Sequence, residues 1–123
     1  MAKRILYVED NYMNFLLVKK IFKSSDVVIE RAEDAPAAME KLKAARPDLI
    51  LMDLHLPGMD GIELSAVIRE NARYAAIPII GISASSIPQD KADAVKAGFV
   101  GFIEKPVDIK KLQEAVTAIL FPT

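Results

Sequence analysis

The run Leu49-Ile50-Leu51-Met52 limits the possible folds of this chain more than any other stretch. In an extended strand, successive side chains point to opposite faces, so four apolar residues in a row need cover on both sides. Strands of that kind lie centrally in parallel sheets whose crossover helices cover both faces. The run stops at Asp53, and Leu54-His55-Leu56-Pro57-Gly58 then reads as a turn. Other apolar runs end on polar groups too. Ile5-Leu6-Tyr7-Val8 meets Glu9 and Asp10, Ile77 to Ile82 meets Ser83, and Val100-Gly101-Phe102-Ile103-Glu104 meets Lys105. If these runs are parallel strands, their carboxyl ends gather three acids, a lysine and a hydroxyl along one edge. That edge is where open α/β sheets bind ligands.

Helical patterns fill the intervals. A helix is expected over 12–23, with Asn14, Leu17, Val18 and Ile21 on the inward face. Val27-Val28-Ile29 reads as a short strand. Asp34 suits a helix cap with Pro36 in the first turn, and Ala38, Met39, Leu42 and Ala45 form a stripe before Pro47. Asp60-Gly61-Ile62-Glu63 resembles a capping box, opening a helix that turns Leu64, Val67 and Ile68 inward. Pro78 belongs at a strand start, Pro88 in an opening helical turn, and Gly98 at that helix's close. Ile109, Leu112, Val116 and Ile119 mark the inner face of a last helix.

The result is a (βα)5 α/β pattern, a doubly wound parallel sheet with the expected strand order 2-1-3-4-5. The second and fifth strands are short or interrupted and suit the edges. In that order the switch point falls between strands one and three, where Asp10 and Asp53 meet.

The bulk properties exclude several classes. The chain of 123 residues is expected to form one domain, 1–123, with no linker and no effector domain. A net charge of -1 gives no basic surface for a phosphate backbone, so no direct nucleic-acid contact is expected. There is no cysteine, which removes disulfides and thiolate metal sites. No apolar run approaches a membrane span, and the four-residue run after Lys3 and Arg4 is too short for a signal-peptide core. A cytoplasmic protein without membrane contact is the resulting expectation.

Three carboxylates in one crevice repel one another, so a cation or partial protonation is required. Oxygen donors favour a hard cation, and Mg²⁺ keeps waters and accepts phosphate oxygens. The lone histidine, His55, is a better oxygen donor through its backbone carbonyl than a ligand through its ring. Lys105 supplies positive charge opposite the acids, and the Lys105-Pro106 bond suits the cis form. Ser83 adds a hydroxyl. Metal, ammonium and hydroxyl together make a cradle for a phosphoryl group, whose transfer is catalysed mainly by positioning and charge stabilisation.

Glu9-Asp10, Asp53 within Leu-Met-Asp-Leu-His-Leu-Pro-Gly-Met-Asp-Gly, Ser83-Ala84 and Lys105-Pro106 occur in order along the whole chain. With these motifs the sequence resembles the response-regulator receiver domain of two-component signalling, in its single-domain, chemotaxis-like form. The resemblance implies a flavodoxin-like fold with the same strand order. It implies that Asp53 is the phosphoacceptor, taking phosphoryl from a phosphohistidine on a histidine kinase or histidine phosphotransfer protein. Asp10, Asp53 and the His55 carbonyl would hold Mg²⁺, and Glu9 would act through metal-bound water. Lys105 and Ser83 would meet the phosphoryl oxygens, with backbone N–H groups of Leu54 and Ala84 completing the cradle. Ser83 and Phe102 would form the switch, read out on the face made by the fourth helix, fifth strand and fifth helix. Ser stands where Thr is commoner, and Phe102 lacks the hydroxyl of a switch tyrosine.

With the first helix oriented as above, Tyr12 and Leu16 point outward, flanked by Met13 and Phe15. This suggests a docking patch for a helical phosphodonor. Two alternatives accompany the main reading. One is a receiver excised from a hybrid histidine kinase. The other is a metal-dependent phosphohydrolase with an aspartyl-phosphate intermediate. The latter would want two acids spaced by one residue after the first strand, whereas Glu9, Asp10 and Asn11 are consecutive.

Overall fold

Alternation along the apolar strands divides the interior in two. In the computed structural model, which describes residues 2–23, 26–84 and 88–122, the central strand is β3 (Leu49–Asp53), buried throughout. It lies in a five-stranded sheet with β1 (Lys3–Val8), β2 (Val27–Ala32), β4 (Ile79–Ser83) and β5 (Gly101–Glu104). The order is β2-β1-β3-β4-β5 and all four pairings are parallel. Leu49 and Leu51 face one layer, with Ile5, Tyr7, Ile80, Ile82 and Ile103. Ile50 and Met52 face the other, with Leu6, Val8 and Ile79.

Helices α1 (Tyr12–Ile21) and α5 (Ile109–Leu120) cover the first layer through Phe15, Val18, Leu112, Val116 and Leu120. Helices α2 (Ala35–Ala44), α3 (Gly61–Glu70) and α4 (Pro88–Lys96) cover the second through Ala38, Leu42, Leu64, Ile68 and Ala94. Right-handed crossovers produce this division: the chain moves one way from β1 to β2 and the other way through the later strands.

The helix starts follow the expected chemistry. Asn11, Asp34, Asp60 and Asp108 are N-caps whose side chains accept from backbone N–H groups three residues on. Gly98, at φ +85°, follows α4 in the left-handed conformation that favours glycine.

Several inward faces differ from those read in the sequence. On α1 the buried residues are Phe15 and Val18, whereas Leu17 is exposed. On α3, Gly61, Leu64, Ser65 and Ile68 face in and Val67 is partly exposed. On α5, Leu120 is buried, whereas Ile109 is exposed and Ile119 is only half-buried. Ala45 caps α2 in exposed, extended backbone. Strand β2 runs three residues beyond Ile29, because its ladder with β1 continues to Val8↔Ala32.

Gly61 sets the return of the chain after β3. Its N–H donates to the Leu54 carbonyl at 3.0 Å. A Cβ there would overlap the Asp53 carbonyl oxygen and come within 2.9 Å of the Leu54 Cα. These are backbone atoms and cannot swing aside. Gly61→Ala is therefore expected to lose about 2 kcal/mol or more of folding free energy. Urea unfolding measures this, and a midpoint equal to wild type would contradict the packing described.

Candidate functional site

Three strand ends and the loops after them build the site. Glu9 follows β1, Asp53 ends β3 and Lys105 follows β5, so strand alternation puts these side chains on the α1/α5 side with Tyr7, Leu51 and Ile103. Glu9 is fully buried and Asp53 nearly so. The Lys105 Nζ donates to Glu9 Oε1 at 2.8 Å and to Asp53 Oδ2 at 3.2 Å. Its backbone N–H donates to the Ser83 carbonyl at 2.7 Å. The Lys105-Pro106 peptide is cis, as expected.

Glu9 has two further donors. The Tyr7 hydroxyl donates to Oε1 at 3.0 Å, and the Asn11 N–H donates to Oε2 at 3.2 Å. Asp53 Oδ1 accepts the His55 N–H at 2.9 Å. Asp10 is exposed at the rim. Carboxylate oxygens of Glu9, Asp10 and Asp53 lie within 4.8 Å of one another. Opposite oxygens around an octahedral Mg²⁺ stand about 4.2 Å apart. The three acids could therefore hold a small hard cation. Glu9 already accepts from Lys105, Tyr7 and Asn11.

Burial alone would pull the Lys105 ammonium down. The hydrogen bond to Glu9 and the charges of Asp53 and Glu9 outweigh it, and its pKa stands above the ordinary lysine value. The Tyr7 hydroxyl is also pushed up, first by burial and then by the charge and hydrogen bond of Glu9.

The other expected residues separate into distinct places. Ser83 is fully buried, but by alternation from Ile82 it faces the α4 side. Its hydroxyl donates to Asp90 Oδ2 at 3.2 Å. Phe102 pairs with Gly81 on that same side and is half-buried against the second layer. The Leu54 N–H was expected in the phosphoryl cradle, but it continues the ladder to the Ile82 carbonyl at 3.0 Å. The donor that meets the Asp53 carboxylate is the next one, from His55. The Ala84 position is exposed at the end of β4.

The docking patch also changes. Tyr12 and Met13 are 55% and 65% exposed, Leu16 is half-buried, and Phe15 is buried. The Phe15 ring packs inside against Tyr7, with centroids 6.5 Å apart, so it is not part of an outer surface.

Three contributors were not visible in the sequence. Asp90 on α4 holds both Ser83 and the His55 ring, whose Nε2 lies 2.9 Å from Oδ2. Tyr7 supports Glu9. Arg31 donates to the Glu9 and Asp10 carbonyls at 3.2 and 3.3 Å and lies over the Tyr12 ring at 5.2 Å. Arg31 lies beyond Ile29, in the part of β2 where the ladder pairs it with Tyr7.

A parallel sheet of this order, with three acids and a lysine at its switch point, is the arrangement of a receiver domain. The family model for the response regulator receiver domain matches residues 5–117, and the chain belongs to that family. It is 28% identical over 120 residues to the polar-differentiation response regulator DivK of Brucella anthropi, with 98% of each chain covered. It superposes on the chemotaxis protein CheY4 of Vibrio cholerae with a TM-score of 0.89 at 25% identity, covering 98% of this chain and 100% of that one. The receiver domain of a sensor histidine kinase from Pseudomonas aeruginosa superposes with a TM-score of 0.86 at 28% identity, covering 97% and 98%. That structure has a magnesium ion coordinated in its active site cleft. In the present chain, no helix among the described residues is long and apolar enough to cross a membrane.

The raised groups fix a direction for alkaline stability. Tyr7 titrates at 10.0 when unperturbed and higher in the fold. Its contribution is complete below the unfolded value and is lost as pH rises toward the folded one. Lys105 acts in the same sense above its unperturbed 10.5. Tyr7→Phe removes one titration and a hydrogen bond of about 1 kcal/mol. The variant should therefore be less stable than wild type near neutrality, and the gap should narrow above about pH 10. Urea unfolding across that range tests this, and a gap that widened would reverse the assignment.

Proposed function

We propose that this chain is the phosphoacceptor of a two-component or phosphorelay pathway, and that Asp53 receives the phosphoryl group from a phosphohistidine on a histidine kinase or histidine phosphotransfer protein. The observation that carries this reading is the Lys105 ammonium shared between buried Glu9 and Asp53, with Asp10 beside them. A structural ion pair needs one acid. Here a single cation serves two acids beside a third, at the ligand edge of the sheet.

In the transfer, an Asp53 carboxylate oxygen attacks phosphorus. A P–O bond forms and the donor's P–N bond breaks. The electron pair goes to the imidazole nitrogen, which leaves as neutral histidine because the donor ring's other nitrogen carries a proton. Lys105 faces the incoming oxygens as a held positive charge, and Glu9 keeps it there. The His55 N–H orients the Asp53 carboxylate through Oδ1. Asp10, Asp53 and the His55 carbonyl would hold Mg²⁺, which when bound offsets the negative charge shared by carboxylates and phosphoryl group.

The product carries new acceptor oxygens within reach of strand β4. Ser83 and the Ala84 N–H are the proposed donors to them, and Phe102, beside Gly81 on the same side, is the proposed second element of the switch. The output surface is the α4–β5–α5 face, where Val95 on α4 and Val100 before β5 are exposed apolar residues. Tyr12 and Met13, exposed at the start of α1 next to the acidic crevice, are the proposed contact for the donor.

Asp53→Asn should abolish Mg²⁺-dependent labelling by a small phosphodonor such as phosphoramidate, read by mass spectrometry of the intact protein. Labelling retained in that variant would remove Asp53 as acceptor. The double variant Tyr12→Ala, Met13→Ala should slow transfer from a phosphohistidine protein by about tenfold, the scale of a small hot spot, while small-donor labelling stays unchanged. Equal slowing in both assays would place these residues in folding or chemistry instead of docking.

A further inference from the structure

The Ser83 hydroxyl has a single proton to donate. In this structure that proton is directed to Asp90 Oδ2 at 3.2 Å, inside a fully buried position. The same Oδ2 atom lies 2.9 Å from His55 Nε2. One carboxylate oxygen therefore joins β4, the loop after β3 and the first turn of α4. Asp90 stands in that first turn, where the helix N-terminus favours a negative side chain. Its side chain is only 20% exposed, so water competes weakly for the bond.

We propose that Asp90 is a positioning residue that holds the Ser83 hydroxyl in the unphosphorylated state and ties α4 to it. This rests on Asp53 being the phosphoacceptor. A phosphoryl group on Asp53 introduces a second anionic acceptor for the same proton. Ser83 cannot donate to both, so engagement of the phosphoryl oxygens requires release of Asp90. That release frees the first turn of α4 from β4, while His55 still links Asp90 to the loop that follows Asp53. The contest between two acceptors for one hydroxyl proton makes Asp90 a determinant of how readily the phosphorylated conformation forms. It also gives α4, part of the proposed output surface, a direct mechanical connection to the acceptor site.

The experiment is Mg²⁺-dependent binding of beryllofluoride, a phosphoryl mimic, to the full chain. Asp90→Ala removes the carboxylate that accepts the Ser83 proton and should tighten binding by about fivefold, the scale of one hydrogen bond to a charged group discounted for solvent competition. Asp90→Asn keeps a carbonyl acceptor without the charge and should fall between Ala and wild type. A purely structural role would not depend on Ser83. In a Ser83→Ala background, Asp90→Ala should therefore change affinity by less than about twofold. Thermal unfolding of each variant confirms that folded proteins are compared. Unchanged or weaker binding in Asp90→Ala overturns the proposal, as does an equal gain with and without Ser83. If wild type itself neither binds the mimic nor is labelled at Asp53, the acceptor reading fails and this proposal fails with it. If wild type binds and only the Asp90 arm is flat, the acceptor reading stands and the proposal alone falls.

Discussion

The Lys105 ammonium between Glu9 and Asp53 is the interaction on which the functional end of this fold depends. Glu9 has no exposure to solvent. An ionised carboxylate in such a place costs several kcal/mol unless it is paired and hydrogen-bonded. Lys105, Tyr7 and Asn11 meet that need together. Because they come from β1, the turn after it and the far end of the sheet at β5, the pairing fixes the relative placement of strands that are not neighbours. Asp53, on the strand between, inherits an environment already organised for negative charge. The same lysine that makes burial of Glu9 tolerable also donates to Asp53.

Strand alternation then separates two tasks. Glu9, Asp53 and Lys105 point to the side covered by α1 and α5, whereas Ser83 and Phe102 point to the side covered by α4. The acid–lysine cluster and the Ser83–Phe102 pair thus sit on opposite faces of one sheet edge. Gly81 makes the second face workable. A Cβ there would come within 2.9 Å of the Phe99 ring and 3.5 Å of Phe102, so two aromatic side chains share space that any larger residue would fill. Ser83 ends that same strand and is held by Asp90 on α4. Under the proposed function, a change at Asp53 would reach α4 through that hydroxyl and carboxylate.

The central strand, the element order and the acidic edge were legible because each rests on a local rule. Four consecutive apolar residues demand two covered faces, caps announce helix starts, and acids at strand ends converge in a parallel sheet. The inward face of α1 was not legible, for a physical reason. Tyr12, Met13, Phe15, Leu16, Leu17, Val18, Ile21 and Phe22 place apolar groups around almost the whole helix. Periodicity cannot rank them, and the contact between Phe15 and Tyr7 decides. On α3, the crowding of the β3 loop against Gly61 selects the stripe through Leu64 and Ile68 and turns Val67 outward. The Leu54 N–H continues the sheet ladder to the Ile82 carbonyl, a partner fixed by the β3–β4 register and by no local pattern.

By itself the sequence determined the class of fold and the membership of the acidic crevice, because apolar runs and their terminal residues carry that information within a few positions of one another. Tertiary structure alone decided which partners those residues hold. Asp90 lies 35 residues from His55 along the chain and Lys105 lies 96 from Glu9. No local pattern relates them. Their meeting follows from strand order, register and helix placement, which settle only when both layers of the core pack against the sheet.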